Sequence, residues 1–335
     1  MHNKNKMYEF EKIAIIAVIV MFALIVGLVL FATRGNERPS TQTPSVGQVG
    51  ESEDASGDSN GILSGVPSVV PEKDIEFTEI EVDNTGVGEG ALILVNQDHK
   101  YTTDISSSLK NLYSYNQSAG NTTNWYGLIN VKQSLKKETL DALNDMYRDY
   151  YAALELSDVT ITKTFVDVTT QQNEYDAAYE NADIGKKPYL QAGGCSEHQT
   201  GLAVNIKAPA ASLSWFTDNC WKYGFVARYP EGKESVTYVK DEPNHFRYVG
   251  VPHALYMKLN KLVLEEYLGL LETKTNVSRL KLDVGTSDKY ETYACKVDKG
   301  AITKVKVPAE STGWSYMISG TNTGYFVITI YQLQE

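Results

Sequence analysis

The sequence predicts an α+β globular domain that follows a membrane anchor and precedes a small all-β domain. Three features of the chain support this organisation. Residues 13–33 form an uncharged apolar run, helical and strand-like patterns alternate over residues 76–272, and residues 273–335 contain only strand candidates separated by turns. Helices that alternate with short, mostly hairpin-connected strands are typical of the α+β class.

The apolar run is long enough to cross a bilayer as one helix, which takes about 20 residues. We interpret it as an uncleaved anchor, because a cleaved signal peptide normally has a shorter apolar region that ends at an Ala-x-Ala-like site. The run is preceded by Lys4, Lys6 and Lys12 and followed by Arg34 and Arg38. This bias favours a single-pass protein of the cell membrane, with residues 1–12 in the cytoplasm and the bulk outside. Residues 34–75, rich in small, polar and acidic residues, are predicted to be a disordered linker.

Periodic patterns predict the elements of the globular domain. Helices are predicted over Ser134–Leu154 (with Ser134 as the N-cap), Thr169–Asn181, Ser212–Tyr223 and Val251–Leu271. Strands are predicted over Leu92–Asn96, Val159–Val168, Leu202–Ile206, Ser235–Val239 and His245–Val249, and Ile75–Val82 is a strand or an extended arm. His253, near the start of the last helix, is interpreted as a surface or packing histidine. The C-terminal strand candidates are Arg279–Val284, Tyr290–Val297, Ile302–Val307, Trp314–Ser319 and Tyr325–Leu333.

Charge and cysteine content exclude several classes of function. The formal net charge is −11, and no basic cluster appears outside the flanks of the apolar run, so nucleic-acid binding is disfavoured. The three cysteines show no Cys-x-x-Cys pattern, so a cysteine-based zinc site is not expected. A disulfide between Cys195 and Cys220 and a pair of buried free thiols both remain open.

Two short segments of the chain carry the candidate chemistry. Residues 191–206 contain His198 among small residues, and residues 241–250 contain His245 three residues after Glu242. Two histidines, an oxygen ligand and a nearby acidic side chain are the usual components of a catalytic zinc site that leaves one position for water.

At these residues the sequence resembles the VanY-type D-alanyl-D-alanine carboxypeptidases of the LAS metallopeptidase superfamily. The first motif of that family is Ser-x-His-x-x-Gly-x-Ala-x-Asp, and its positions are occupied here by Ser196, His198, Gly201, Ala203 and Asn205. The second motif is Glu-Pro-Trp-His, and its positions are occupied here by Glu242, Pro243, Asn244 and His245. The resemblance extends over about residues 92–271 and implies a LAS-type (hedgehog/D,D-peptidase-like) fold for the domain.

The resemblance also implies an activity, namely zinc-dependent hydrolysis of the terminal D-Ala-D-Ala bond of peptidoglycan stem peptides outside the membrane. Glu242 matches the general base of the family. The positions that match the metal ligands are His198, Asn205 and His245, and those that match the lining of the substrate pocket are Ser196 and Gln171.

Three positions depart from the family pattern. Asn205 stands where the family has an aspartate, and Asn244 stands where it has a tryptophan. In residues 163–171, which correspond to Ser-Gly-Tyr-Arg-Ser-Tyr-x-x-Gln, Val166 stands where the family has an arginine. An amide oxygen brings only a dipole to a divalent cation, so Asn205 is expected to weaken zinc binding. Asp167 is a candidate for the missing anionic contact, on sequence proximity alone.

These departures leave two hypotheses of different classes. The first is a membrane-anchored metallo-carboxypeptidase with an altered ligand set or substrate preference, and the retained Glu242 favours it. The second is an inactive homologue that binds cell-wall peptide or a protein partner without cleavage, and Asn205 and Val166 favour it.

Overall fold

The computed structural model describes residues 75–118, 125–180 and 190–333. The predicted tail, anchor and linker, up to residue 74, lie outside the described residues. None of the helices in the described part of the chain has the length and apolar character of a membrane span. The described residues belong to one compact unit, residues 71–335. The predicted domain boundary between residues 272 and 273 stays a prediction.

Strands and helices alternate up to residue 271, and the chain after it is rich in strands. The strands are β1 Phe77–Asp83, β2 Leu109–Asn111, β3 Gly127–Leu128, β4 Ser134–Lys136, β5 Thr160–Lys163, β6 Ala203–Lys207, β7 Phe225–Tyr229, β8 Glu242–Tyr248, β9 Leu280–Leu282, β10 Lys289–Lys296, β11 Ile302–Pro308, β12 Ser315–Gly320 and β13 Tyr325–Gln332. The α-helices are α1 Leu112–Ser118, α2 Lys137–Leu154, α3 Val168–Glu180, α4 Ala210–Asn219, α5 Glu234–Thr237, α6 Val251–Asn260 and α7 Leu264–Leu271.

A five-stranded sheet with the order β3-β5-β6-β8-β7 forms the centre of the α+β part. All of its pairings are antiparallel except β3 with β5. Side chains alternate between the two faces of a strand. On one face, Val204, Ile206 and Phe246 pack in a single core with aromatic residues of α2 and α4. The opposite face of β6 and β8 is therefore left for Asn205 and His245.

Several predicted elements agree with the structure. The strand at Leu202–Ile206 corresponds to β6, the strand at His245–Val249 to the second half of β8, and the helix at Thr169–Asn181 to α3. The helix at Ser212–Tyr223 corresponds to α4 followed by a 3-10 turn, Cys220–Tyr223. The C-terminal strand predictions correspond in order to β9, β10, β11, β12 and β13.

The predicted start of the first long helix is wrong. Ser134 is not its N-cap, because residues 134–136 form β4, which pairs with β2, and the helix α2 begins at Lys137. The backbone N–H of Ser134 donates to Thr164 Oγ1 at 3.0 Å, and its carbonyl accepts from the N–H of Phe165 at 3.1 Å. These tertiary hydrogen bonds hold Ser134 in an extended conformation that local spacing does not reveal.

The predicted helix over Val251–Leu271 is also wrong as a single element, because it is divided into α6 and α7. Lys261 adopts the left-handed conformation with φ 54°, which ends α6. Glu266 then accepts a hydrogen bond from the backbone N–H of Val263 at 3.0 Å and caps α7. Apolar spacing continues across the break because both helices pack on the same core.

Three strand predictions fail in ways that share a cause. Leu92–Asn96 is buried but is not a strand, Ser235–Val239 overlaps the short helix α5, and Val159–Val168 is a strand only over β5. Short apolar alternation does not distinguish a strand from a buried loop or a single helical turn. In the first segment, the backbone groups bond instead to the C-terminal turn, as in the 2.8 Å hydrogen bond from Leu94 N–H to the carbonyl of Thr321.

The C-terminal strands form a four-stranded sheet with the order β12-β13-β10-β9. The strand β1 pairs along its whole length with β11, so the first described strand belongs with the last part of the chain. One face of β13 packs Phe326, Ile328 and Ile330 into the core of this β-rich region. On its other face, Val327 packs in the same cluster as residues of α6 and α7.

His253 links the β-rich region to the helices. Its Nδ1 lies 2.7 Å from the hydroxyl of Tyr267 on α7, and its Nε2 lies 3.0 Å from Thr329 Oγ1 on β13. The side chain is buried, as expected for a packing histidine. Burial lowers the pKa of His253 to about 4, because the charged imidazolium would lose its hydration.

We expect His253 to make the folding stability depend on pH. Its pKa is about 4 in the folded protein and 6.5 in the unfolded chain, so the unfolded state gains the proton first. Stability is therefore fully present above pH 6.5 and is lost as the pH falls towards 4, by about 2 kcal/mol between pH 7 and pH 5. Urea unfolding of wild type and His253→Gln over this range measures the difference. Equal slopes for the two proteins would contradict the prediction.

Candidate active site

The candidate site begins with a row of side chains across the central sheet. Lys163 of β5 is the register partner of Asn205 on β6, and Asn205 is in turn the partner of His245 on β8. Asn205 and His245 lie on the face opposite the aromatic core. The strand pairing therefore places three polar side chains from distant parts of the chain beside one another.

His198 reaches this row from a short 3-10 helix, residues 197–200, that precedes β6. Ser196 caps that helix, since its Oγ accepts from the backbone N–H of His198 at 3.4 Å, and Gln199 Oε1 accepts from the N–H of Ser196 at 3.3 Å. Gly201 ends the turn with φ 67°, a conformation that L-residues with side chains rarely adopt. A Cβ there would also lie 2.8 Å from Leu109 Cδ2. The sequence around His198 thus fixes its backbone.

The two histidines face one another across the site. The ring centroids of His198 and His245 are 5.0 Å apart, and both side chains are buried. A cavity of about 240 Å³ opens beside them. All of the site residues predicted from the sequence line this cavity, namely Gln171, Ser196, His198, Asn205, Glu242 and His245.

Glu242 and Asn205 are joined by a short hydrogen bond. Asn205 Nδ2 donates to Glu242 Oε1 at 2.6 Å, while Glu242 Oε2 lies 3.8 Å from His245 Nδ1. Because the carboxylate takes up the amide nitrogen, the amide oxygen of Asn205 is directed elsewhere, and it is buried without a hydrogen-bond partner. The amide of Asn205 therefore hydrogen-bonds the Glu242 carboxylate through its nitrogen and leaves its oxygen available to another ligand.

A buried ion cluster supports the site from behind. Glu197, next to His198, receives hydrogen bonds at 2.8 Å from Arg228 on β7 and from Arg247 on β8. Arg228 also makes a two-point contact with Glu265, at 2.7 and 2.9 Å. Burial acts to raise the pKa of Glu197, but the two guanidiniums outweigh it and hold the pKa well below its ordinary value. Glu197 is therefore an anion inside the protein.

Glu197 also approaches His245. Its Oε2 lies 3.3 Å from His245 Nε2, close enough for electrostatic contact, although the angles do not satisfy a hydrogen bond. A carboxylate behind a histidine is the usual outer partner of a metal-ligating imidazole, because it fixes the ring and its tautomer. This arrangement leaves His245 Nδ1 on the side of the cavity. Sequence reasoning missed Glu197, and its only signal is an acid within the motif around His198.

The donor atoms fit a divalent cation with one weak ligand. His198 Nδ1 and Asn205 Oδ1 are both buried without a hydrogen-bond partner, as expected where a ligand completes the site, and His245 has its Nδ1 on the side of the cavity. However, no group of three His, Cys, Asp or Glu side chains within the described residues has the geometry to hold a metal. The amide of Asn205 accounts for this difference, because it takes the place of the third imidazole or carboxylate. Zinc accepts the two imidazoles readily and the amide oxygen poorly.

Electrostatic surroundings keep His198 neutral. Burial comes first, and the charges of His245 and Lys163 add to it, so the pKa of His198 lies well below its ordinary value. A neutral imidazole is the form that binds a metal ion. The arrangement therefore favours the ligand form of His198.

Asp167 and the cysteines, which were also discussed from the sequence, lie outside the lining of the cavity. Asp167 is exposed and accepts from Thr170 N–H at 2.9 Å and from Thr170 Oγ1 at 2.6 Å, so it caps α3 and does not line the cavity. The hypothesis that Asp167 supplies the missing anionic contact is wrong. Cys195, Cys220 and Cys295 are all free, and the first two are buried. Of the two alternatives, the structure therefore has a pair of buried free thiols and not a disulfide between Cys195 and Cys220.

Gln171 is buried at the edge of the cavity and acts on its neighbours. Its Nε2 donates to the carbonyl of Gln191 at 2.6 Å, which fixes the loop before His198, and its Oε1 accepts from Lys163 Nζ at 3.2 Å. Lys163 and Tyr229 line the cavity as well and were not among the predicted site residues. The ring of Tyr229 packs against His245 with centroids 4.8 Å apart.

The chain is similar to known D-alanyl-D-alanine carboxypeptidases. Residues 132–251 match the model of the VanY family, described as D-alanyl-D-alanine carboxypeptidase. A D-alanyl-D-alanine carboxypeptidase of Enterococcus faecium is 30% identical over 252 residues, which cover 73% of this chain and 76% of the relative. The bifunctional D-Ala-D-Ala dipeptidase and D-Ala-D-Ala carboxypeptidase VanXYC of Enterococcus gallinarum is 37% identical over 102 residues, 26% of this chain and 54% of that protein.

The fold is similar to a solved structure as well. The crystal structure of the vancomycin resistance D,D-dipeptidase VanXYg, in complex with a D-Ala-D-Ala phosphinate analog, aligns with a TM-score of 0.66. The alignment has 23% sequence identity and covers 77% of this chain and all of that one, 100%. The molecule thus has a mixed α/β fold similar to that of this D,D-dipeptidase, with a β-rich C-terminal region. The chain belongs to the VanY family of D-alanyl-D-alanine carboxypeptidases.

We expect Glu197→Gln to destabilise the protein strongly. The substitution leaves Arg228 and Arg247 buried with less compensating charge, and breaking a buried ion pair costs about 3–5 kcal/mol. Urea unfolding measures the loss of the free energy of unfolding. The matched control is Asp145→Asn, which removes an exposed partner of Arg148 and should change stability little. Equal effects of the two substitutions would show that the cluster is not a stabilising centre.

Proposed function

We propose that this protein is a membrane-anchored, extracytoplasmic metallo-carboxypeptidase that acts on the D-Ala-D-Ala ends of peptidoglycan stem peptides. Membership of the VanY family supports a peptidase function related to peptidoglycan. The observation that carries the proposal is the convergence of His198, His245 and Glu242 on one cavity, with the two imidazole rings 5.0 Å apart. The dipeptide analog bound by the similar structure supports a D-Ala-D-Ala end as the ligand class.

Zinc is the metal that the donor set and the family resemblance favour, and His198, His245 and Asn205 would hold it. When bound, it supplies Lewis acidity to the scissile carbonyl and to the attacking water. The side chains around it have separate tasks. Glu197 orients His245 through its Nε2 edge, and burial keeps His198 neutral.

Glu242 is the proposed general base. Asn205 occupies one of its oxygens, Oε1, so Oε2 is the oxygen that accepts a proton from the attacking water. The same group then delivers that proton to the leaving amine of the C-terminal residue. The hydrogen bond from Asn205 holds the carboxylate beside the cavity, which reduces the conformational entropy lost when substrate binds.

The proposed location rests on the sequence alone. The apolar run at residues 13–33 and the lysines before it favour a span with the globular unit outside the membrane. The linker at residues 34–75 would separate that unit from the bilayer. Peptidoglycan stem peptides lie on the same side, so the proposed location and substrate agree with each other.

A second function has its own support, namely binding of cell-wall peptide without cleavage. Asn205 brings no negative charge to a metal, and its amide also occupies one of the two oxygens of the Glu242 carboxylate. Both effects would slow hydrolysis while leaving the cavity intact. The two functions share a ligand and differ in turnover.

Metal content and turnover distinguish the two functions. Under the peptidase proposal, the purified full-length protein holds about one zinc per chain and releases D-alanine from a stem pentapeptide. Glu242→Ala is expected to abolish release while the peptide still binds, because the substitution removes the base and leaves both histidines in place. Protein that stays free of metal in added zinc, and that binds pentapeptide without cleaving it, would establish the second function instead.

We expect Asn205→Asp to destabilise the metal-free protein and to strengthen its binding of metal. The new carboxylate would face that of Glu242, where Asn205 Nδ2 now donates at 2.6 Å, so like charges would repel in the metal-free protein. The same charge would strengthen zinc binding by tenfold or more, since one charge-assisted contact is worth about 1.5–3 kcal/mol. Thermal unfolding in chelator and in zinc measures both effects. A higher melting temperature in chelator, or unchanged zinc affinity, would contradict this expectation.

A further inference from the structure

The cavity is lined by a cationic side chain, Lys163, that the proposed mechanism does not use. Lys163 lines it, with a side chain that is 24% exposed, and is the only lysine or arginine among the described residues that do so. Its Nζ donates to Gln171 Oε1 at 3.2 Å and to Glu174 Oε2 at 2.8 Å. Arg228 and Arg247 lie deeper and are committed to Glu197. Lys163 is therefore the cation that a ligand in the cavity meets.

A strand irregularity brings Lys163 to the cavity. Ile161 faces the aromatic core, and simple alternation would place Lys163 on that same face. The pairing of β5 with β6 is interrupted between these residues, since Ile161 pairs with Ile206 while Lys163 pairs with Asn205. Thr162 is the extra residue, and its Oγ1 donates to the carbonyl of Asn205 at 3.1 Å. A β-bulge of this kind re-aims a side chain, here the ammonium group towards the row of Asn205 and His245.

The charges of the cavity show what this ammonium can bind. Glu242 contributes a carboxylate to the cavity, and a second carboxylate that enters it would be repelled unless a cation received it. The present partner of Lys163 is Glu174, whose side chain is 44% exposed, and such a pair contributes little net stability. An incoming carboxylate can therefore replace Glu174 at small cost.

We propose that Lys163 is the receptor for the free α-carboxylate at the C-terminus of the bound peptide. The assignment rests on the proposed function and deepens it, because it makes the site select peptide acids over peptide amides. Gln171 holds the ammonium in place from the buried side, and Glu174 occupies it until the peptide enters. The alternative role for Lys163 is purely structural, as a tie between β5 and α3.

Binding of matched peptides tests the proposal. Full-length protein carrying Glu242→Gln, which keeps the side-chain shape but lacks the base, is titrated calorimetrically with a stem pentapeptide and with its C-terminal amide, with zinc present. We expect the acid to bind more tightly, and Lys163→Met to weaken acid binding by about 10- to 100-fold, the worth of a hydrogen bond to a charged group. Binding of the amide should stay within about twofold. Lys163→Arg should retain the preference for the acid.

Control variants separate the possible outcomes. Glu174→Gln removes the competing carboxylate and should maintain or increase the preference for the acid. If Lys163→Met weakens acid and amide equally, or if the preference survives in it, the assignment of Lys163 is overturned. Failure of the Glu242→Gln protein to bind either peptide overturns this assignment together with the proposed function. In contrast, the preference for the acid can depend on Lys163 while the protein with its native Glu242 releases no D-alanine. That result upholds the assignment of Lys163 and removes only the proposed hydrolysis.

Discussion

The buried carboxylate of Glu197 is the constraint on which the site depends. Its side chain is 0% exposed, and an ionised group in that position is stable only if opposite charges and hydrogen bonds surround it. Arg228 and Arg247 supply them from two neighbouring strands, so the loop that carries His198 can adopt only the position in which Glu197 meets both. The same carboxylate faces His245. One ion cluster thus positions both imidazoles before any ligand is present.

The departure at Asn205 changes the balance between the empty and the occupied site. With a carboxylate there, two acids would face one another and only a bound cation would reconcile them. The amide instead donates a hydrogen bond to Glu242, which stabilises the site without metal. The same amide gives the metal ligands one negative charge fewer. Stability without metal and affinity for metal are therefore opposed at this position. Lys163 has a separate effect, because its positive charge adds to the burial that lowers the pKa of His198 and so favours the neutral imidazole.

The sequence predicts those parts of the structure that depend on local pattern. The strands β6 and β8 and the C-terminal strands follow from alternation. Five of the residues that line the cavity follow from the two motifs, namely Ser196, His198, Asn205, Glu242 and His245. The start of α2, the loop at Leu92–Asn96 and the bulge that re-aims Lys163 depend on tertiary hydrogen bonds, which spacing does not encode. Glu197 escaped notice for the same reason, because a sequence shows a charge but not its burial between two arginines.

The role of the β-rich region follows from where its contacts lead. Asn322, in the turn before β13, donates to the carbonyl of Leu94 at 3.0 Å, and the adjacent Thr321 carbonyl accepts from the N–H of the same residue at 2.8 Å. The neighbouring carbonyl of Ile93 accepts from Arg247 Nη2 at 2.8 Å, and Arg247 holds Glu197. A continuous set of hydrogen bonds therefore runs from the C-terminal strands to the loop of His198. These contacts indicate that the β-rich region braces the part of the chain that carries the candidate site.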